Sequence, residues 1–265
     1  MAESKTVAFI GGSGLAQGLE GLLAEVTQHE HVANEFGTVL SYYTGKHGNT
    51  NVVILPRHGE SEGGKPTRTP AELVRQRGYE ANIWQLYKLG VQAVYGTTAV
   101  GALDMQIPLA DKGCFVVPYS YVRGVAASQH SFGASALNVH PSMGEPFDPK
   151  LIVRVFSAIK AAGYDMMKGV YIYNGGDAFE TPEEIKVLEK ETRCLNAMRV
   201  VGMTTVPEVM LLKQMNIPFA AIASNVNYAE GLSKDMIVSH EQTLKVMKKA
   251  GGYLTNIAKE IIVSY

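Results

Sequence analysis

Thr6-Val7-Ala8-Phe9-Ile10-Gly11-Gly12-Ser13-Gly14 is a short apolar run that stops abruptly on a glycine-rich turn. An unbroken apolar run of this length, ended by a turn signal, fits a strand buried on both faces rather than one that alternates between core and water. The same grammar recurs along the chain. Residues 51–55 are stopped by Pro56-Arg57-His58-Gly59, residues 91–95 enter Gly96-Thr97-Thr98-Ala99, and residues 114–117 are stopped by Pro118. Residues 168–173 enter Asn174-Gly175-Gly176, and residues 200–203 and 219–224 complete the set.

Helical spacing falls between these runs. Residues 80–89 place Ile83, Trp84 and Tyr87 on one side, and residues 149–163 are amphipathic. Thr181 is a helix N-cap with Pro182 in the first position and Glu183 and Glu184 in the first turn. Residues 206–215, with Pro207 near the start, and the long stretch 240–263 complete the helices. Strands alternating with helices predict an α/β fold, a mixed and largely parallel twisted sheet flanked by helices, as one domain over residues 1–265. Residues 59–77, rich in Gly, Pro and charge, read as a surface loop, and residues 138–149, with three prolines, as an extended segment.

Composition narrows the function. Hydrophobic residues make up 46% and charged residues 18% of the 265, which suits a large buried surface and excludes a disordered chain. Lys plus Arg number 24 and Asp plus Glu 25, so the net charge of −1 argues against a nonspecific nucleic-acid binder. Cys114 and Cys194 are far apart and give neither a zinc spacing nor a disulfide framework; both read as buried thiols. The polar start lacks a signal-peptide core, and no run approaches the ~18 apolar residues of a membrane helix. A soluble, cytoplasmic protein is the expectation.

In open α/β sheets, ligands gather at the carboxyl ends of strands. Four such ends carry suitable chemistry: Gly11-Gly12-Ser13-Gly14, Arg57-His58, Thr97-Thr98-Ala99 and Met203-Thr204. An anion such as phosphate needs closely approaching backbone N–H groups, hydroxyl donors and a guanidinium fork. Each piece alone has a plain reading: a glycine turn is usually only a turn, and Arg57-His58 serves as well as a solvated loop pair. The glycines fit neither the dinucleotide fingerprint nor a Walker loop. Their combination across separate strand ends is the informative signal.

Those motifs, taken in order, resemble the trimeric purine nucleoside phosphorylases and methylthioadenosine phosphorylases. The resemblance rests on Ile10-Gly11-Gly12-Ser13-Gly14-Leu15, Leu55-Pro56-Arg57-His58-Gly59, Ala81-Asn82-Ile83-Trp84 and Thr97-Thr98-Ala99-Val100-Gly101. His140 with Met143-Gly144-Glu145-Pro146-Phe147 is similar to the methylthioadenosine branch. Gly202-Met203-Thr204-Thr205-Val206-Pro207-Glu208 is the most specific match. The resemblance implies attack of phosphate on C1′ of a purine nucleoside, releasing base and pentose 1-phosphate, without metal or organic cofactor. It implies a phosphate site of Ser13, Arg57, His58, Thr98, Ala99 (through its backbone) and Thr204. It implies catalytic roles for Asn227 and His58. Phe179, Glu180, Met203, Asn227, Tyr228, Ala229, His240 and His140 would bind substrate, with His140 reaching into a neighbouring subunit. A homo-oligomer, expected to be a trimer or dimer of trimers, follows.

Substrate choice is read from three positions. Asn227 stands where adenine-specific members carry Asp, and its amide suits O6 and N7 of a 6-oxopurine. Glu180 would accept the N1–H that hypoxanthine and guanine have and adenine lacks. His240 stands where oxopurine enzymes meet the 5′-hydroxyl. Inosine or guanosine is therefore the expected substrate, with methylthioinosine or methylthioadenosine the alternative and a non-catalytic nucleoside binder a further one. Three departures from the family pattern bear on this: Asp177-Ala178 before Phe179, the stretch 61–77, and Pro118-Tyr119-Ser120-Tyr121-Val122-Arg123.

Overall fold

The computed structural model describes residues 5–11, 15–60, 67–124, 127–232 and 240–265, with the backbone alone for Ala16, Gln17, Glu20 and His240. Along the chain run β1 (Lys5–Gly11), α1 (Leu15–Glu20), β2 (Ala24–Asn34), β3 (Gly37–His47), β4 (Thr50–Pro56), α2 (Pro70–Arg75), α3 (Gly78–Lys88) and β5 (Ala93–Ala102). Then come β6 (Cys114–Arg123), α4 (Pro149–Ala161), β7 (Asp165–Tyr173), α5 (Pro182–Thr192), β8 (Met198–Gly202), α6 (Val206–Gln214), β9 (Phe219–Tyr228) and α7 (His240–Val263).

The strands form one mixed sheet in the order β2-β3-β4-β1-β5-β8-β7-β6-β9. β1 pairs in parallel with β4 and β5, β5 with β9, and β7 with β6 and β8. The β5–β9 pairing closes β5-β8-β7-β6-β9 into a five-stranded barrel at one side of the sheet. The apolar runs explain this centre: Val7, Ala8, Val52, Leu55, Val94, Tyr95, Ala220 and Ala221 are all essentially inaccessible. Helix α7 packs on β9, α1 and α4, and α3 packs on α6 and β3.

Several strands run further than the sequence suggests, each for a local reason. β5 does not stop at Tyr95 but continues to Ala102, because β9 pairs with it throughout. Thr97-Thr98-Ala99 therefore lie within a strand, not in a loop beyond it. β6 passes through Pro118 to Arg123, with a register shift between Pro118 and Ser120 that accommodates the missing N–H. β9 extends to Tyr228 and carries Asn227 within it.

Other corrections concern elements the pattern hid. The β2–β3 hairpin has no apolar run in β2, an edge strand exposed along most of its length. Within the expected loop 59–77, Pro70–Arg75 is helical: Thr69 caps Glu72 N–H, and the Glu72 carboxylate returns to Thr69 N–H. On α3 the buried face is Tyr79, Asn82, Ile83 and Leu86, while Tyr87 is exposed and Trp84 packs on Phe36 and Phe132. Cys114 is buried as expected, but Cys194 is exposed. Among the described residues no helix is long and apolar enough to cross a membrane.

Candidate active site

β5 pairs with β1 only as far as Gly96 and with β8 only from Gly101. Between them, residues 97–100 have β9 on one edge and no strand on the other. A strand's N–H and C=O at one residue share an edge and alternate with those of the next. Thr97 C=O points to the open edge, where it accepts from Arg57 Nη1 at 3.1 Å. Ala99 N–H points the same way, and Ala99 is exposed between buried Thr98 and Val100. A backbone donor at the end of an open edge is a natural anion contact.

Arg57 is placed by the turn after β4. Its N–H bonds to Gly11 C=O at 2.9 Å, and its carbonyl accepts from Asn82 Nδ2 at 3.1 Å. The side chain is almost fully buried and forms a two-pronged pair with Glu208 of α6, through Nε to Oε1 and through Nη2 to Oε2 at 2.9 Å. Burial opposes its charge, and the Glu208 carboxylate more than restores it, so the guanidinium pKa lies above its ordinary value. With three of five N–H bonds committed, two remain.

His58 follows on the same turn. Its Nδ1 lies 2.8 Å from Arg68 C=O, which can only accept, so Nδ1 carries the proton and Nε2 presents a lone pair. Burial, and then the Arg57 charge, lower its pKa to about 4. At neutral pH this ring is uncharged. Its positive neighbour is already balanced by Glu208, so the pocket offers an anion dipoles rather than a free cation.

Thr204 reaches the same spot through an uncommon turn. Thr205 sits at φ +64° and ψ −52°, and Val206 N–H bonds to Thr204 C=O at 2.6 Å. This is a γ-turn of the strained hand. It ends β8, starts α6 within one residue, and leaves Thr204 Oγ1 3.2 Å from Thr98 Oγ1. The same turn puts Glu208 one helical turn below, beside Arg57. Thr204 N–H donates to Tyr171 Oη at 3.3 Å. Gly202 is required here, because any Cβ would collide with that phenol.

The opposite wall comes from the β7–α5 loop and β9. Glu180 Oε1 accepts from Asn174 Nδ2 at 3.3 Å, and burial raises the Glu180 pKa above its ordinary value. β9 carries an extra residue opposite the Val100–Gly101 step, so two consecutive residues, Val226 and Asn227, both face the cavity. Asn227 Nδ2 donates to Tyr228 C=O at 3.0 Å and keeps its second N–H. The cavity, open to solvent on one side, has a volume of about 280 Å³.

Arg57, His58, Thr98, Ala99, Phe179, Glu180, Met203, Thr204 and Asn227 are thus brought together around one cavity. Others are not. Ala229 is in the core with Leu103, Ile172 and Val201, and Tyr228 packs on a neighbouring apolar cluster. His140 is exposed and lies in a separate depression with Tyr121, Met143 and Met210. Ser13 lies outside the described residues, as does the side chain of His240. The sequence reading missed Glu208, Asn174, Pro70 and, from α7, Thr243 and Met247. Glu208 left a trace: it is the one acid of α6 and sits within the run Val206-Pro207-Glu208-Val209-Met210-Leu211-Leu212, otherwise wholly apolar.

The family model described as the phosphorylase superfamily matches residues 6–263. The chain belongs to the phosphorylase superfamily. It is 33% identical over 238 residues to a probable S-methyl-5′-thioinosine phosphorylase of Pseudomonas syringae pv. tomato, covering 88% of this chain and 89% of that one. It is 30% identical over 249 residues to a probable 6-oxopurine nucleoside phosphorylase of Thermococcus kodakarensis, covering 91% and 85%. In fold it is similar to a methylthioadenosine phosphorylase from an antarctic soil metagenomic library, with TM-score 0.81, 23% identity and coverage of 99% and 87%.

Proposed function

We propose that this phosphorylase-superfamily enzyme, a pentosyltransferase, cleaves 6-oxopurine nucleosides such as inosine and guanosine with phosphate. The observation that carries the reading is the buried Glu180 carboxyl, which lines the same cavity as Asn227 and the Arg57, Thr98, Ala99 and Thr204 cradle. A carboxylate there accepts the N1–H of a 6-oxopurine; adenine would leave it unpaired.

The geometry supports a simple division of labour. Phosphate sits against Ala99 N–H, the Thr98 and Thr204 hydroxyls and the two uncommitted N–H bonds of Arg57. An oxygen of phosphate attacks C1′ as the C1′–N9 bond breaks, and the bonding electrons leave with the purine. Asn227 donates its remaining N–H to the base as that negative charge arrives. Met203 lies against the sugar. His58, neutral and with its lone pair available, accepts a hydrogen bond from a protonated phosphate oxygen. The catalysis is positioning and preorganised dipoles. Phosphate is both nucleophile and counter-charge, so the reaction as proposed requires neither metal nor organic cofactor.

A second reading changes only the 5′ group. Met247 and Thr243 of α7 line the cavity, and a thioether beside an apolar wall favours methylthioinosine. The proposed working form is a homo-oligomer, expected to be a trimer, with His140 of one copy entering its neighbour's cavity and a role in cytoplasmic purine salvage.

The test is base release from inosine, guanosine, adenosine, methylthioinosine and methylthioadenosine, each with and without phosphate. Phosphate-dependent release of hypoxanthine or guanine is expected, with adenine poor. Asn227→Asp is expected to shift the preference toward 6-aminopurines. Release without phosphate, or an unchanged inosine-to-adenosine ratio in that variant, would overturn the assignment.

A further inference from the structure

The β7–α5 loop carries Phe179 and Glu180 into the cavity wall, and two residues before Phe179 it carries Asp177. Gly176, at φ +106°, turns this loop toward α2 with a backbone geometry that other residues rarely adopt. There the Asp177 carboxylate takes two hydrogen bonds from the far side of the cavity mouth. Oδ2 accepts from Thr69 Oγ1 at 2.8 Å, and Oδ1 accepts from Ala71 N–H at 2.9 Å.

Thr69 is already fixed by its own helix. Its Oγ1 accepts Glu72 N–H at 3.2 Å, and its N–H donates to Glu72 Oε2 at 2.9 Å. Its hydroxyl proton is thereby directed at Asp177. One residue earlier, Arg68 C=O takes the Nδ1 proton of His58. One residue later, Pro70 is itself part of the cavity wall. A single carboxylate on the Glu180 side therefore holds the segment that orients His58 on the other.

We propose that Asp177 is a positioning residue that braces the base side of the cavity, Phe179 and Glu180, against the phosphate side, Pro70 and His58. This rests on the phosphorolysis reading, which assigns those two sides their ligands. The chemistry favours an acidic residue here: two acceptor oxygens face two donors, one of them a first-turn N–H of α2 that Pro70 cannot supply. Removing the carboxylate frees both loops, so the binding of both substrates weakens together. An amide of the same shape still accepts from Ala71 N–H and can donate to Thr69 Oγ1, so Asn retains the brace where Ala loses it.

The test compares wild type, Asp177→Ala and Asp177→Asn. KM and kcat are measured with the accepted nucleoside and with phosphate varied in turn, and hydrogen exchange is followed over residues 68–76. Asp177→Ala is expected to raise the KM of both substrates about three- to tenfold, the range for charge-assisted bonds discounted for an exposed site, with kcat changed less. Exchange over residues 68–76 is expected to accelerate. Asp177→Asn is expected to stay within about twofold of wild type in KM, as its retained hydrogen bonds require. A purely structural role would lower the melting temperature without moving KM. Wild-type KM for either substrate in Asp177→Ala, or equal losses in Asn and Ala, would overturn the proposal. A wild-type enzyme inactive on every nucleoside would refute the functional reading instead. The exchange comparison then decides the brace alone: unchanged exchange in Asp177→Ala overturns it, and accelerated exchange supports it.

Discussion

Replacing Glu208 with Gln is the sharpest probe of how the anion site is built. Arg57 and Glu208 have side chains only 3% and 2% exposed, and the pair sits under the cavity floor. Gln keeps the volume but offers one acceptor oxygen, and its NH₂ faces a donor. The guanidinium would be left buried and uncompensated. Removing one partner of such a pair costs about 3–5 kcal/mol. For a chain of this size, about 1 kcal/mol corresponds to roughly 2–4 °C in melting temperature. A fall of roughly 6–20 °C follows, enough to remove a large part of a typical folding free energy. Phosphate should then behave differently in the two proteins. In the wild type Glu208 already balances Arg57, and phosphate adds stability only through ordinary binding linkage. In the variant phosphate becomes the counter-ion, so its stabilising effect should be larger. The assay is thermal unfolding across a phosphate titration, with chloride and a matched ionic strength as control. A fall of less than about 1 kcal/mol, or the same phosphate response in both proteins, would refute the reasoning.

Two further expectations follow from the titrating groups. His58 has a folded pKa of about 4 against an ordinary 6.5, so folding favours its neutral form. The stability this contributes is complete above the unfolded pKa and is lost as pH falls from about 6.5 through about 4, to a limit of about 3 kcal/mol. In phosphate-free buffer, unfolding free energy measured across that window should slope less in His58→Asn; equal slopes would contradict the assignment. Glu180 must be ionised to accept N1–H, and its pKa is raised, so kcat/KM for inosine should decline on the acid side at a higher pH than an ordinary carboxylate would give. Glu180→Gln should abolish that limb and lower kcat/KM roughly tenfold at neutral pH, the difference between a charged and a neutral acceptor; an unaltered pH profile would exclude Glu180 from base reading.

The strand runs were readable because the sheet interior excludes water on both faces, so burial is written into consecutive residues such as Val7 to Ile10 and Val52 to Leu55. β2 carried no such mark because it is an edge strand with little to bury. The cap of α2 was legible at Thr69-Pro70-Ala71-Glu72, the same grammar read correctly at Thr181, but the surrounding Gly and Pro masked it. In the cavity, Arg57, His58 and Thr204 were accessible to sequence reasoning because they follow separate apolar runs, so that one sheet end gathers them, although each alone had a plainer reading. Glu208 was not paired with Arg57, because the contact crosses 151 positions and depends on the turn at Thr205. Thr243 and Met247 were invisible for another reason: on a long amphipathic helix, a residue facing a cavity and one facing the core have the same periodicity.

The open edge of β5 has a consequence for how such a protein can change over generations. The donor at Ala99 belongs to the main chain, and it exists wherever β5 leaves β1 and has not yet met β8. No exchange of a single side chain at that position deletes it, short of proline, which has no N–H to give. The cavity's rim is the reverse, written entirely in side chains: Asp177, Phe179, Glu180, Asn227, Thr243 and Met247 can each be altered without rebuilding the sheet. On the reading proposed above, one contact of the nucleophile's seat is thus stored in the path of the backbone, and the contacts to the leaving group in the letters of the sequence. On that reading, side chains at the rim can vary the nucleoside while the main-chain contact to phosphate stays where it is.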